Sequence, residues 1–260
     1  MADPAMDILF GFHSVSEALK AGRRRFNALY LSKSLSGRRK DILVSLADKA
    51  KIPISPAGNQ KLDEFAKGGV HQGIAALATP FPAYREPDLI SRIQQRQTPF
   101  QALVLDQIED PQNLGALIRT AVCTGVDYLV IPKDRSALPG PGVSRASAGA
   151  MEHAAIFVVT NTAATIRTLK THHAWVAGLD AGDDTLLHQA DLTGNLVLVV
   201  GGEHKGIRPG VLKVCDFVVS IPIESPVTSL NASVAGAMAM YEALRQKIIH
   251  QPNKESRLSI

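Results

Sequence analysis

Only two of the 260 residues are cysteine. Cys123 lies inside a helical pattern and Cys215 just before an apolar run, so neither a disulfide framework nor a cysteine-ligated metal centre is expected. A reducing, cytoplasmic home follows from that scarcity. No apolar run approaches the roughly 20 residues of a membrane span, and the first residues lack the regions of a secretion signal. Residues 1–5 read either as a leader or as native chain. The usual nucleotide and hydrolase signatures are missing as well. The glycines at 201–206 have no following Lys-Ser/Thr at phosphate-loop spacing, and Gly140 and Gly142 form an isolated pair. No His-Glu helix suggests zinc, and no Ser/His/Asp order suggests acyl transfer. His71 stands without a second metal-type residue, and the adjacent His172 and His173 point apart, so no metal is expected.

Apolar residues are in good supply at 45%, enough for one large core or two modest ones. The formal net charge of +4 is unevenly placed: residues 1–80 hold 12 Lys and Arg against 7 Asp and Glu, and the remainder 16 against 17. The basic excess gathers in Arg23, Arg24 and Arg25 and in Arg38, Arg39 and Lys40. Two such runs suit either a nucleic-acid backbone or an ordinary solvated surface.

Residues 10–79 alternate helix and short strand, with helices at 13–21, 38–50 and 60–67 and strands at 28–31, 52–55 and 73–78. Residues 80–98, with Pro80, Pro82 and Pro87 and one amphipathic patch at Leu89, Ile90 and Ile93, read as a linker. Beyond it the rhythm is regular. Strands at 102–105, 128–131, 156–159, 175–179, 196–200 and 217–223 alternate with helices at 111–124, 144–151, 162–172 and from about 229. Six apolar strands in that rhythm predict a largely parallel sheet with helices on both faces. The chain therefore divides into a small N-terminal α/β domain (1–79), a linker (80–98), a larger α/β domain (99–249) and a tail (250–260).

Two stretches of the larger domain carry chemistry. In the first, Asp110 before Pro111 starts a helix and Gly125 ends it. Arg119 leans back over the bare Gly115 toward Asn113, which makes either an anion or hydroxyl site or a surface arginine paired to a carboxylate. In the second, the strand at 196–200 has no polar alternation, as in a strand covered on both faces, and runs into Gly201, Gly202, Glu203, His204, Lys205 and Gly206. A further strand at 217–223 leads to a helix beginning near Ser229 and Asn231. That helix sets Val234, Met238 and Tyr241 on one face and Ala232, Ala235, Gly236, Ala239 and Ala243 on the other. It reads as buried twice, its small stripe meeting either the chain's own strands or a second subunit.

Three segments together, Asn113 to Ala121, Leu198 to Ile207 and Ile221 to Ala235, resemble the three motifs of the SpoU (TrmH-type) RNA ribose 2′-O-methyltransferases of the SPOUT superfamily. Order, spacing and chain position all agree. The N-terminal unit, including Gly69-Val70-His71-Gln72-Gly73, resembles the substrate-binding domain of the subgroup that methylates a guanosine of large-subunit ribosomal RNA. His204 departs from the family, many of whose members carry glycine there. The resemblance implies a trefoil-knotted domain and a homodimer with its active site near the interface. It implies S-adenosylmethionine among the loops that hold Gly201, Gly202, Gly206, Ile221, Ile223, Leu230 and Ser233. It also implies an active site of Arg119, Asn113, Glu203, Ser229 and Asn231, with the two basic runs on the RNA. Family proposals make Arg119 a general base. A guanidinium whose pKa lies above about 12 costs less as a charged stabiliser of the oxygen, with Asn113 and Glu203 fixing it and Ser229 and Asn231 positioning the nucleophile or a phosphate. The alternatives are a transfer RNA methyltransferase and a silent RNA-binding or ribosome-assembly factor on the same fold.

Overall fold

The computed structural model describes residues 6–181, 185–203, 205–224, 226 and 229–250. The leader reading of residues 1–5, the departure at His204 and the tail beyond His250 lie outside those residues.

The N-terminal unit runs β1 (Asp7–Phe10), α1 (Phe12–Ala21), β2 (Phe26–Ser32), α2 (Arg38–Ala50), β3 (Ile54–Ala57), α3 (Asn59–Ala66) and β4 (Ile74–Ala78). Its sheet has the order β1-β4-β2-β3, with only the β2 and β3 pair parallel. β1 is not among the strands expected from the sequence, because Leu9 is its one buried residue and a single buried position shows no alternation. The segment expected as a linker is structured too. It forms β5 (Tyr84–Arg85) and α4 (Glu86–Gln94), whose Leu89 and Ile93 are buried in the second domain's core.

That domain continues with β6 (Gln101–Asp106), α5 (Pro111–Thr124), β7 (Tyr128–Pro132), α6 (Pro141–Ala146), β8 (Ile156–Val159), α7 (Thr162–Lys170) and β9 (Trp175–Leu179). It ends with β10 (Leu196–Gly201), α8 (Pro209–Leu212), β11 (Phe217–Val219) and α9 (Ala232–His250). The sheet order is β11-β9-β10-β6-β7-β8-β5, and every neighbouring pair is parallel. Seven strands thus stand where six were expected. The seventh is β5, held at the edge by Tyr84 stacking on Phe157 with ring centroids 5.3 Å apart.

The unbroken apolar runs have a simple cause, since successive residues bury on opposite faces of the sheet. Leu103, Leu105, Leu196, Leu198 and Val200 pack with α5 and α9, while Val104, Val130, Val197 and Val199 pack with α4, α7 and α8. Two expected elements fall well short of their patterns, and the helices expected at 162–172 and from about 229 are trimmed by two or three residues, to α7 and α9. β11 stops at Val219 because Ser220 turns to bridge Leu186, and Pro222 has no donor to extend the ladder. The helix expected over 144–151 breaks after α6, where Ala148 and Gly149 both take left-handed φ, and resumes as a 3-10 turn at Ala150–His153.

α9 is not buried twice within the chain. Ala232, Gly236, Ala239 and Ala243 face the core, and a Cβ on Gly236 would strike Leu117 of α5, so the small stripe meets the chain's own elements. The large face stays open, with Val234 47%, Met238 44% and Tyr241 65% exposed.

The two domains are clasped by a buried ion pair. Arg24 sends Nε to Glu152 Oε2 at 2.9 Å and Nη2 to Oε1 at 2.8 Å, and both side chains are 0% exposed. Its Nη1 reaches Asp7 Oδ2 at 2.7 Å, and Ser14 and Ser144 share a 2.7 Å hydroxyl bond beside it. Arg23 donates to the carbonyls of Ala154 (2.6 Å) and Pro82 (3.2 Å) and lies over the rings of Phe81 and Tyr84. This corrects the expectation that both arginines serve RNA: Arg24 is walled off from any phosphate, and Arg23's guanidinium is committed to the domain junction. Arg25, Arg38, Arg39 and Lys40 remain exposed, Arg39 lying 5.4 Å from the Phe12 ring.

Candidate active site

β6 and β10 lie side by side, with Asp106 opposite Gly201 at their carboxyl ends. The chain leaves β6 toward β7 on one side and leaves β10 for β11, beyond β9, on the other. In an open parallel sheet, such a reversal of direction opens a crevice outside the strand ends. Asp106 is fully buried there and holds Arg208 by its backbone N–H (2.9 Å) and by Nε (2.9 Å) and Nη2 (2.5 Å). The charge-assisted fork anchors the far end of the 202–207 loop to β6 and raises the Arg208 pKa above its ordinary value. The loop folds back on itself, Gly206 N–H donating to Gly202 O at 2.9 Å. A Cβ on Gly201 would collide with Gly206, and one on Gly202 with the Gln107 carbonyl, so only glycine lets these backbones approach.

Two cavities flank the loop. One, of about 240 Å³, is walled by Gly201, Gly202, Gly206, Ile221, Ile223 and Leu230, with Ser229, Leu179, Val219, Ala232, Ala235 and Asp180 among its other lining residues. The other, of about 570 Å³, is lined by Gln107, Ile108, Glu109, Asp110, Asn113, Arg135 and Lys205. Gly202, Glu203 and Gly206 belong to both and form the wall between them.

At that wall three distant segments meet. Asn113 Nδ2 donates to Glu203 Oε1 at 2.6 Å, and Asn231 Nδ2 donates to the same oxygen and to Asn113 Oδ1 at 3.1 Å. Asn113 is placed by the start of α5, where Asp110 caps the helix by accepting from the backbones of Gln112 (3.0 Å) and Asn113 (3.4 Å). Asn231 caps α9 in turn, its Oδ1 accepting from Ser233 N (2.8 Å) and Oγ (2.5 Å). Ser233 is therefore engaged with the cap and does not line the smaller cavity, while Ser229 lines that cavity and stands outside the asparagine and glutamate cluster.

Arg119 is not brought to this cluster. It is exposed on α5, lines neither cavity, and has no hydrogen-bonding or ionic partner among the described residues. Asn113 and Glu203 bond one another instead of fixing the arginine as expected. Nor is Gly115 a gap for Arg119 to cross, because α6 occupies it. A Cβ there would strike the Ala146 Cβ and lie 2.8 Å from Ala146 C and Ser147 N. Gly115→Ala is expected to cost about 1–3 kcal/mol by overpacking. That is a fall of roughly 2–12 °C in melting temperature for a chain of this size. An unchanged melting temperature would mean that α6 gives way freely.

Sequence reasoning placed Asp106, Gln107 and Glu109 in the candidate stretch that runs from Asp106 to Ala121 but gave them no role of their own, and it did not single out Arg208 or Arg135. Asp106 left the plainest signal, a lone acid closing an apolar strand. Both cysteines are free thiols, and burial together with the Asp216 carboxylate pushes Cys215 up to about 11. Among the described residues no helix is long and apolar enough to cross a membrane, and no group of three or more His, Cys, Asp or Glu side chains is placed to hold a metal ion.

Comparison with known proteins agrees with this geometry. Residues 101–241 match the family model described as SpoU rRNA Methylase family, and residues 8–84 match RNA 2′-O ribose methyltransferase substrate binding. The 23S rRNA (guanosine-2′-O-)-methyltransferase RlmB of Photorhabdus laumondii is 39% identical over 241 residues, covering 93% of this chain and 98% of that protein. Its Escherichia coli K12 counterpart is 37% identical, covering 93% and 99%. The solved SpoU methyltransferase AviRb from Streptomyces viridochromogenes, in complex with AdoMet, superposes with a TM-score of 0.77 at 22% identity, covering 94% and 91%. At that identity the likeness speaks for the fold, whereas the family-model match and the RlmB relatives cover most of the sequence itself. The chain belongs to the SpoU rRNA methylase family.

Proposed function

We propose that this protein transfers the methyl group of S-adenosylmethionine to the ribose 2′-hydroxyl of a guanosine in large-subunit ribosomal RNA, in the cytoplasm. The observation that carries the reading is the pair of cavities sharing the wall of Gly202, Glu203 and Gly206, which lets a donor on one side of that wall meet an acceptor on the other. RlmB relatives act on a 23S rRNA guanosine by name, and they match nearly the whole chain.

The smaller cavity fits the cofactor's chemistry. Ile221, Ile223, Leu230, Val219 and Leu179 offer apolar walls for an adenine, and Asp180 offers a carboxylate for ribose hydroxyls or an ammonium. When bound, S-adenosylmethionine supplies an electrophilic methyl carbon on a sulfonium. The chain's own residues have the harder task, since a ribose hydroxyl is a poor nucleophile near neutral pH and must be aligned and relieved of its proton as it attacks. The Asn113, Glu203 and Asn231 cluster holds the two cavities in fixed relation, which is the alignment half of the task. Arg119, outside both cavities of its own chain, serves the site of a second copy, where it keeps its charge and stabilises the developing alkoxide while the hydroxyl proton passes to solvent, and Ser229 positions the nucleotide at the rim of the donor cavity. The exposed Arg25, Arg38, Arg39 and Lys40 contact the RNA backbone, while Arg23 and Arg24 have left that role. A second copy of the chain covers the open face of α9, where Val234, Met238 and Tyr241 stand exposed.

Mapping 2′-O-methyl groups in ribosomal RNA from cells with and without the gene tests the reading, together with methyl transfer by the purified protein. The expected result is one guanosine of large-subunit RNA that loses its mark in the deletion and regains it in vitro. An unaltered ribosomal map, or a mark lost from transfer RNA instead, would overturn it.

A further inference from the structure

We infer that the 570 Å³ cavity seats the target guanine itself, and that Arg135 is its specificity-determining residue, reading the O6 and N7 edge while Glu109 takes the N1–H and N2–H edge. The inference rests on the methyl-transfer reading above, which asks only for a ribose beside the shared wall and leaves the base unassigned.

Four ionisable groups besides Arg135 line this cavity, and two of them are already committed. Asp110 caps α5, and Glu203 accepts from both asparagines. Glu109 and Arg135 are exposed, carry opposite charge and line one cavity, yet neither bonds the other or any described residue. The loops that carry them are tied together, Ala137 N–H donating to Ile108 O at 2.8 Å, so the two backbone segments keep a fixed relation to one another. Both loops also take left-handed backbone at a non-glycine residue, Gln107 (φ 62) and Arg135 (φ 55). Such conformations persist where the surroundings impose them.

The chemistry then selects the occupant. Guanine carries two adjacent acceptors, O6 and N7, which match a guanidinium fork, and two adjacent donors, N1–H and N2–H, which match a carboxylate. Adenine presents an N6 amino donor where the arginine wants an acceptor, and its N1 lone pair would face Glu109. Neither pyrimidine offers both edges. A base lifted from its stack into a polar pocket is read by such edge contacts. Lys205, also lining the cavity, lies on the loop shared with the donor cavity and suits the nucleotide's phosphate.

The test uses the full-length protein and an RNA transcript spanning the mapped nucleotide, made with guanosine, 7-deazaguanosine or adenosine at that position. Wild type is expected to prefer guanosine over 7-deazaguanosine and over adenosine by roughly ten- to hundredfold in kcat/KM, as for a bidentate base contact. Because glutamine pairs with the adenine N6 and N7 edge, Arg135→Gln should cut the guanosine-to-adenosine ratio at least tenfold and erase the penalty for 7-deazaguanosine. Its S-adenosylmethionine affinity should be unchanged in calorimetry, since Arg135 is not part of the donor cavity. A readout without turnover is photocrosslinking of RNA bearing 6-thioguanosine at the target, expected to mark the peptide around residues 133–137. An Arg135→Gln enzyme that loses activity equally on all three RNAs, with a flattened salt dependence, would make the contact a phosphate contact and overturn the inference. A wild-type enzyme that methylates no guanosine would fail in its own arm and would remove the function reading and this inference together.

Discussion

Arg119→Ala is expected to bind S-adenosylmethionine with wild-type affinity and to lose about 100- to 1000-fold in kcat, the range seen when a single charge-stabilising donor is removed from an active site. The affinity half of the result follows from geometry, since Arg119 lines neither cavity and hydrogen-bonds none of the residues that line the smaller one. The turnover half follows from availability. The described side chains leave this guanidinium unpaired on the surface of α5, so it is free to meet an incoming oxygen or phosphate without first breaking an ion pair. Arg119→Lys discriminates between the two possible duties. As a stabiliser, lysine keeps the charge and part of the rate, with the pH profile unmoved. As a base, it would draw the titration to lower pH, because an ammonium near 10.4 gives up its proton more readily than a guanidinium above about 12. Near-normal turnover in Arg119→Ala would remove the residue from the mechanism, leaving Glu203 as the charged side chain on the shared wall.

The strands of the large sheet were legible because burial on both faces writes an unbroken apolar run, and α5 was legible to the residue because Asp110, Pro111 and Gly125 mark its ends. β1 and β5 were not, since β1 buries a single residue and β5 has only two. Leu89 and Ile93 did show their amphipathic spacing, but the prolines around them outweighed it. Of the seven residues that the family resemblance implies around the cofactor, six line the smaller cavity, all but Ser233. What local reasoning could not see is which polar groups find each other. Arg24 has a partner 128 residues away, and no window on the sequence joins it to Glu152. The same limit applies to the set proposed for catalysis. Asn113, Glu203 and Asn231 could be named one by one, but their bonds to each other span 90 and 118 residues and displace the expected contacts to Arg119. In α9 both stripes were visible, and only the packing against Leu117 tells which of them is core.

Glu152→Ala is expected to lower stability by about 3–5 kcal/mol, because it removes one half of a buried ion pair and strands the other. In a chain of this size that is a fall of roughly 6–20 °C in melting temperature. Arg24 would keep its 2.7 Å bond to Asp7 and its 3.2 Å bond to the Thr79 carbonyl, while Nε and Nη2 would be left without acceptors in a site closed to solvent. Ser144 would lose its 3.2 Å bond to the carboxylate and keep Ser14. The cost is therefore that of an uncompensated charge and not of a lost contact alone, and a second variant separates the two. An apolar pair of similar volume, Arg24→Met with Glu152→Leu, removes both charges and should recover much of the stability lost in Glu152→Ala. Recovery would have a functional corollary, since the apolar pair would leave the domains docked and methyl transfer nearly intact. Salt provides an independent check, because a dry pair is poorly screened. The deficit of Glu152→Ala should persist at about 1 M salt, where the Debye length is about 3 Å and surface pairs such as Lys20 with Glu17 contribute little. A deficit under about 1 kcal/mol, or one that vanishes in salt, would show that water reaches the clasp and that the two domains are held by their apolar contacts instead.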